Sequence, residues 1–203
     1  MPSLRLSKQI QEFEFEKNYQ AVVCGNLKED FGTFEDYLLK NGKTNKTEVV
    51  KAGTPDAKKA ELDYELIDCI ETKEGILTWV LVILHTGRHH QIRVQFASRG
   101  LGLYGDTKYN PAFQKTKKKY TEIGLYSTRL SFLHPVTGER MTFKTEPCGE
   151  AFEKDGRGGF LSLHILDKSE DLFYNKKQTD SVDCCGNLSS NPLYLPEVFS
   201  RYS

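Results

Sequence analysis

The sequence has little that would tie it to a secreted, metal-binding or membrane protein. It holds five cysteines in 203 residues and no Cys-x-x-Cys pair, which argues against a disulfide framework and against a zinc site. We expect no signal peptide, and no apolar run in the sequence is long enough to span a bilayer. These absences predict a reduced, cytoplasmic protein that binds no metal and enters no membrane.

An excess of charge of one sign is also absent. The 28 basic residues are balanced by 28 acidic residues, so the formal net charge is zero. Nucleic-acid-binding domains are often basic overall, and the balance argues mildly against one, although a local basic patch can suffice. The sequence also lacks a glycine-rich phosphate-binding loop and a dinucleotide fingerprint, so we expect no cofactor.

The hydrophobic pattern predicts an α+β fold built on a mixed, mainly antiparallel sheet with a few helices and loops. The apolar run at residues 76–84 is typical of a central strand buried on both faces. Residues 40–48 are polar and predict a turn. In chain order, strands are predicted at residues 18–24, 31–39, 58–68, 76–84, 123–133 and 140–145.

Two helices are predicted, at residues 3–16 and 89–99, and Gly100 follows the second where a left-handed C-cap residue is expected. The periodic pattern fades after about residue 165, where the chain becomes rich in Asn, Ser, Asp and Lys. We therefore predict one domain over residues 1–164 and a partly disordered carboxy-terminal extension over residues 165–203.

The most specific stretch is residues 86–95, Thr-Gly-Arg-His-His-Gln-Ile-Arg-Val-Gln, followed at residues 100–109 by Gly-Leu-Gly-Leu-Tyr-Gly-Asp-Thr-Lys-Tyr. It resembles the TGRTHQIRVH and GHPxxGDxxY segments of the RluA-type family of RNA pseudouridine synthases. Residues 16–23, 60–64 and 130–139 resemble, in the same order, that family's VEKxYxAxV, A-x-T-x-Y and LxFxHPxTGE segments. The resemblance implies a pseudouridine-synthase-like catalytic domain that isomerises specific uridines of ribosomal or transfer RNA.

Several positions depart from the family pattern. His89 replaces the usual threonine, Gln95 the usual second histidine, and Gly102 a common proline. The main departure is that no HRLDxxTSG segment, which carries the family's nucleophilic aspartate, occurs in the 203 residues. We expect an amino-terminally incomplete copy of the domain that is inactive alone; the alternative is a non-catalytic RNA-binding paralogue that lost the nucleophile.

The resemblance assigns catalytic roles to Arg93, Tyr19 and Leu130. Arg93 would pair with the nucleophilic aspartate, and without it we expect Arg93 to attract solvent or an anion. Tyr19 would stack on the flipped uracil, and Leu130 would supply an apolar contact beneath the ring. On the local pattern alone, they read as a surface ion-pair arginine, a core tyrosine and a core leucine. Asp106 is predicted to cap backbone amides rather than act as nucleophile.

The resemblance and the local charge also indicate where RNA would bind. His90 is also predicted to hold its loop by a hydrogen bond. If His89 and His90 are adjacent positions of a helix, their side chains point about 100° apart and do not readily bind one metal ion together. Residues 114–119, which hold four lysines, can also be interpreted as a solvated run of charge. The implied partner is ribosomal or transfer RNA, and the protein is predicted to be a monomer. RNA contacts are predicted at Arg88, His90, Lys115, Lys117, Lys118 and Lys119.

Overall fold

Seven antiparallel strands form one sheet in the computed structural model, which describes Arg5, Lys8, Gln9 and residues 15–73, 75–115 and 122–153. Their order across the sheet is β3-β2-β4-β5-β1-β6-β7. The predicted mainly antiparallel sheet is confirmed. In chain order the strands are β1 Glu16–Cys24, β2 Phe31–Asn41, β3 Lys46–Val50, β4 Lys58–Thr72, β5 Gly75–Leu84, β6 Leu125–Leu133 and β7 Arg140–Lys144.

Strand β5 lies at the centre of the sheet, between β4 and β1. Six consecutive residues from Leu77 to Val82 are buried, because this strand is covered on both faces. The predicted central strand is therefore confirmed.

Both faces of the sheet carry an apolar core, since alternate residues of a strand point to opposite sides. The short helix α1, Gln91–Ala97, covers one face of the sheet, called here the first face. The other face packs against the connection after α1, the one-turn helix α2 (Pro111–Gln114) and a 3-10 turn at Glu150–Phe152. The first core includes Ala21, Val80, Val82, Ile92 and Phe96. The second core includes Val22, Trp79, Tyr104, Phe113 and Phe152.

The polar segment predicted as a turn contains a strand that the pattern did not indicate. Strand β2 continues to Asn41, and β3 begins at Lys46, so that the two form a hairpin with a turn over residues 42–45. Only Thr47 of β3 is buried. With no alternating apolar residues, β3 gives no strand signal in the sequence.

The second predicted helix is shorter than expected. It begins at Gln91 rather than at residue 89, because His90 has a left-handed backbone with φ of 53°. The predicted left-handed C-cap is confirmed, since Gly100 has φ of 78°.

The chain ends are described only in part. Arg5, Lys8 and Gln9 are helical, while the other residues of the predicted helix before residue 15 lie outside the described residues. Glu16, at the end of that prediction, belongs to β1 instead. The predicted extension over residues 165–203 also lies outside the described residues. No helix in the described part of the chain is long and apolar enough to cross a membrane.

Candidate active site

A cleft of about 700 Å³ lies between α1 and the neighbouring ends of β1 and β6. Tyr19 of β1 and Arg93 of α1 both line it, although they are distant in the sequence. Ile123 and Phe152 add apolar surface. Its size suits a small organic ligand such as a nucleobase with its sugar.

The loop that leads into α1 is fixed by the buried side chain of Gln91. Its Oε1 accepts hydrogen bonds from Thr86 Oγ1 and from the backbone N–H of Arg88, both at 2.9 Å. Its Nε2 donates to the backbone oxygen of Glu61 at 3.0 Å. The Thr-Gly-Arg-His-His-Gln segment is thereby anchored on β4, which sets the position of α1 and of Arg93.

Arg93 forms a two-point ion pair with Asp106. Its Nε lies 2.8 Å from Asp106 Oδ2, and its Nη2 lies 2.7 Å from Oδ1. The guanidinium carbon also lies 4.9 Å from the ring centroid of Tyr109. The expectation that Arg93 would lack a partner was therefore wrong, because Asp106 supplies one from within the described chain. Arg93 Nη1 makes no hydrogen bond in the part of the chain that the structure describes.

The Asp106 carboxylate is fully buried, with 0% of its surface exposed. Besides Arg93, it accepts hydrogen bonds from the backbone N–H groups of Lys108 and Tyr109. Burial alone would raise the pKa of Asp106, but the Arg93 charge and these donors outweigh burial and lower the pKa below its ordinary value. The prediction that Asp106 caps backbone amides is confirmed, and it additionally orients Arg93.

The turn before Asp106 depends on a glycine with no room for a side chain. Gly105 has φ of 72°, and a Cβ there would overlap the carbonyl oxygen of Glu122. Gly100 has a similar φ of 78°, but nothing lies within 4 Å of its Cβ position.

We expect Gly105→Ala to lower the free energy of unfolding by about 3 kcal/mol and Gly100→Ala by about 1 kcal/mol, because only the first adds a steric overlap to the left-handed strain. Chemical denaturation of the two variants measures the difference. Equal losses would contradict the close approach of Gly105 to Glu122.

Leu130 is not brought into the same cleft. It lies on the same face of the sheet as Tyr19, because it pairs with Lys17, two residues before Tyr19 on β1. It is absent from the lining, to which β6 contributes Leu125 and Tyr126. The contact of Leu130 with a base therefore stays a prediction.

Two of the predicted RNA contacts, Arg88 and His90, line the cleft. The Nε of Arg88 donates to the backbone oxygen of Lys59 at 2.8 Å. Lys115 is exposed directly after α2. Lys117, Lys118 and Lys119 lie outside the described residues.

The two histidines do not point apart as helical neighbours would. Both precede α1, and their ring centroids are 3.8 Å apart. His90 Nδ1 lies 2.8 Å from the hydroxyl of Tyr109, which confirms that His90 holds its loop through a hydrogen bond. Among the described residues, no three His, Cys, Asp or Glu side chains gather as a metal site.

The sequence-based site omitted Tyr109, Leu84, Ile123 and Phe152. Tyr109 had a signal, because it is the tyrosine of the GDxxY-like segment. The others had none, since an apolar residue that lines a cleft has the same local pattern as one that packs in the core.

The sequence is similar to those of RNA pseudouridine synthases. The sequence pattern of the family described as RNA pseudouridylate synthase matches residues 3–98. An uncharacterized RNA pseudouridine synthase of Aquifex aeolicus is 33% identical over 146 residues, which are 70% of this chain and 45% of that protein. The dual-specificity RNA pseudouridine synthase RluA of Haemophilus influenzae is 28% identical over 144 residues, or 70% of this chain and 61% of that protein. The chain spans about half the length of the first curated relatives it matches.

The fold also matches a solved structure. Human RNA Pseudouridylate Synthase Domain Containing 1 superposes with a TM-score of 0.63 at 20% identity, over 82% of this chain and 69% of that chain. The ordered motifs, the sheet and the relatives agree, and the chain belongs to the RluA-type family of RNA pseudouridine synthases.

Proposed function

We propose that this protein acts as an RNA pseudouridine synthase, and that the cleft between α1 and β1 receives a uridine turned out of the RNA. The observation that carries the proposal is the placement of Arg93, which is fixed by Asp106 and lines the same cleft as Tyr19. Turning a base out of a stem costs a few kcal/mol, which RNA contacts around the cleft would offset.

The reaction is an isomerisation. The N1–C1′ bond of the uridine breaks, the base rotates, and a C5–C1′ bond forms; C5 then loses its proton and N1 gains one. No atom is gained or lost overall, so neither a redox cofactor nor an added nucleoside is needed. A carboxylate that bonds to the substrate would divide this rearrangement into two smaller steps.

The ion pair with Asp106 leaves part of the Arg93 guanidinium for such a carboxylate. Arginine has five N–H donors, of which Asp106 occupies one at Nε and one at Nη2. Because Arg93 lines the cleft, the remaining donors at Nη1 and Nη2 can hold a second carboxylate ionised there. Asp106 cannot fill this role itself, because its oxygens are buried and already accept from Arg93, Lys108 and Tyr109.

The remaining roles follow from position and charge. Tyr19 would stack on the uracil and take part in proton transfer, and Leu130 would contact the substrate farther along β6. Arg88, His90, Lys115, Lys117, Lys118 and Lys119 would contact the RNA backbone around the cleft. Ribosomal and transfer RNA are the proposed substrates, acted on by a monomer in the cytoplasm.

The second candidate is a non-catalytic RNA-binding paralogue. It is favoured by one observation, the absence of an HRLDxxTSG segment from the 203 residues. Both candidates predict RNA binding, and they differ only in turnover.

We expect the 203-residue chain to form no pseudouridine, and a version extended upstream with a family HRLDxxTSG segment to form it. Carbodiimide-directed primer extension on bulk ribosomal and transfer RNA measures the product. The control is the unextended chain itself: turnover there would show that the nucleophile lies within the 203 residues and would overturn our assignment. Absence of turnover after extension would leave the RNA-binding paralogue as the better account.

A further inference from the structure

A chain of hydrogen bonds runs from strand β3 to the rim of the cleft. The backbone N–H of Thr47 donates to the hydroxyl oxygen of Tyr109 at 3.0 Å. The same hydroxyl lies 2.8 Å from His90 Nδ1. The hairpin of β2 and β3 is thereby tied to the residue that precedes α1.

The second bond can run in either direction, and its direction sets the tautomer of His90. The Tyr109 oxygen accepts from Thr47, and a tyrosine hydroxyl has one proton to donate. In the described part of the chain, the only acceptor within reach of that proton is His90 Nδ1. When Tyr109 donates there, Nδ1 carries no proton, and the ring proton of a neutral His90 resides on Nε2, which lacks a hydrogen-bond partner among the described residues.

The surroundings of His90 favour the same neutral form. Burial lowers the pKa of His90 to about 4, helped by the positive charge of Arg93 and by His89 and Lys108, against an opposing effect of Asp106. Protonation would make Nδ1 a donor, so a bond from Tyr109 requires an unprotonated Nδ1. The low pKa favours the neutral ring, and a bond donated by Tyr109 selects the tautomer with its proton on Nε2.

The backbone of His90 is strained to place its ring there. Its φ of 53° lies in the left-handed region, which costs a non-glycine residue stability. Glycine, which has no Cβ, would adopt this conformation without that strain. A strained residue whose side chain lines a cleft is more typical of a binding site than of a turn.

We propose that His90 donates a hydrogen bond from its neutral Nε2–H to an acceptor oxygen of the RNA, and that Tyr109 and Thr47 fix this tautomer. The inference rests on the proposed function, because it assumes that RNA enters the cleft. The acceptor is either a uracil carbonyl oxygen or a phosphate oxygen.

Nitrogen-15 NMR of the full chain at neutral pH tests the tautomer without any RNA. We expect a protonated Nε2 and an unprotonated Nδ1 for His90, and a shift of the Nε2 signal when uridine or inorganic phosphate is added. A shift with uridine identifies the base as acceptor, and a shift with phosphate identifies the backbone. A charged ring, a protonated Nδ1, or no shift with either probe would overturn the proposal.

Two variants separate binding from folding. Asparagine can accept the Tyr109 proton at the position of Nδ1 but cannot reach the position of Nε2, whereas the longer glutamine can place an N–H near Nε2. We expect His90→Asn to keep the melting temperature and weaken affinity for unmodified transfer RNA about tenfold, and His90→Gln to lose less affinity although it folds less stably. Anisotropy measures affinity without turnover, so the result stands even if the chain is not an enzyme. Unchanged binding by His90→Asn, or equal losses in both variants, would contradict the proposal.

Discussion

Replacing Asp106 with alanine is expected to lower the free energy of unfolding by about 3 kcal/mol. The change leaves Arg93, whose side chain is 14% exposed, without its partner. It also removes the acceptor for the backbone N–H groups of Lys108 and Tyr109. Denaturant unfolding, followed by circular dichroism, measures the loss.

The matched control is an ion pair at the surface. Glu35 pairs with Lys59 at 3.4 Å, and both side chains are about half exposed. We expect Glu35→Ala to change the free energy of unfolding by less than about 1 kcal/mol, because water screens that pair. Equal losses of unfolding free energy in both variants would contradict a larger contribution from the buried pair.

The effect of Asp106 should also depend on pH in a set direction. The pKa of Asp106 is lowered in the folded state. Its contribution to the free energy of unfolding is therefore fully present above the unfolded-state pKa of about 3.9, and it is lost as the pH falls through the folded-state pKa. The stability difference between the wild type and Asp106→Asn should therefore narrow in acid. A difference that widened below pH 4 would contradict the lowered pKa.

Replacing Arg93 with lysine is expected to reduce the turnover of the extended chain by about a hundredfold or more. Lysine keeps the charge but cannot contact both oxygens of Asp106 and still offer fixed donors to a second carboxylate. The loss should fall on kcat rather than on KM, because the donors act on the reacting groups. Single-turnover kinetics with saturating RNA measure it.

Arg88→Lys is the control for that result. Arg88 also lines the cleft, but its Nε donates a hydrogen bond to the backbone oxygen of Lys59. We expect it to act mainly through RNA affinity, and so to raise KM more than it lowers kcat. A larger loss of kcat in Arg88→Lys than in Arg93→Lys would exchange the roles of the two arginines.

Local sequence signals predicted the sheet well. The largely apolar run of β5 is typical of a strand covered on both faces, and Gly100 supplies the left-handed residue that ends α1. Strand β3 was missed because it buries only Thr47, which contacts Tyr109 and His89 rather than an apolar layer. Its pairing depends on tertiary contacts that no local pattern shows.

The residues of the candidate site were predictable only in part, and their connections were not. The family resemblance identified Tyr19 and Arg93, which the fold brings to one cleft. It gave no sign that Asp106 would be the partner of Arg93, because the ion pair joins α1 to a turn thirteen residues later. The close contact between the rings of His89 and His90 was also missed, since it depends on the left-handed backbone of one residue.

The most direct test of the proposed chemistry uses RNA whose uridines carry tritium at C5. Formation of the C5–C1′ bond expels the hydrogen at C5, so each pseudouridine made must release one tritium to water. We predict that the extended chain releases tritium in step with pseudouridine formation and liberates no free uracil. Free uracil with retained tritium would instead indicate hydrolysis of the glycosidic bond, and would contradict the isomerase assignment.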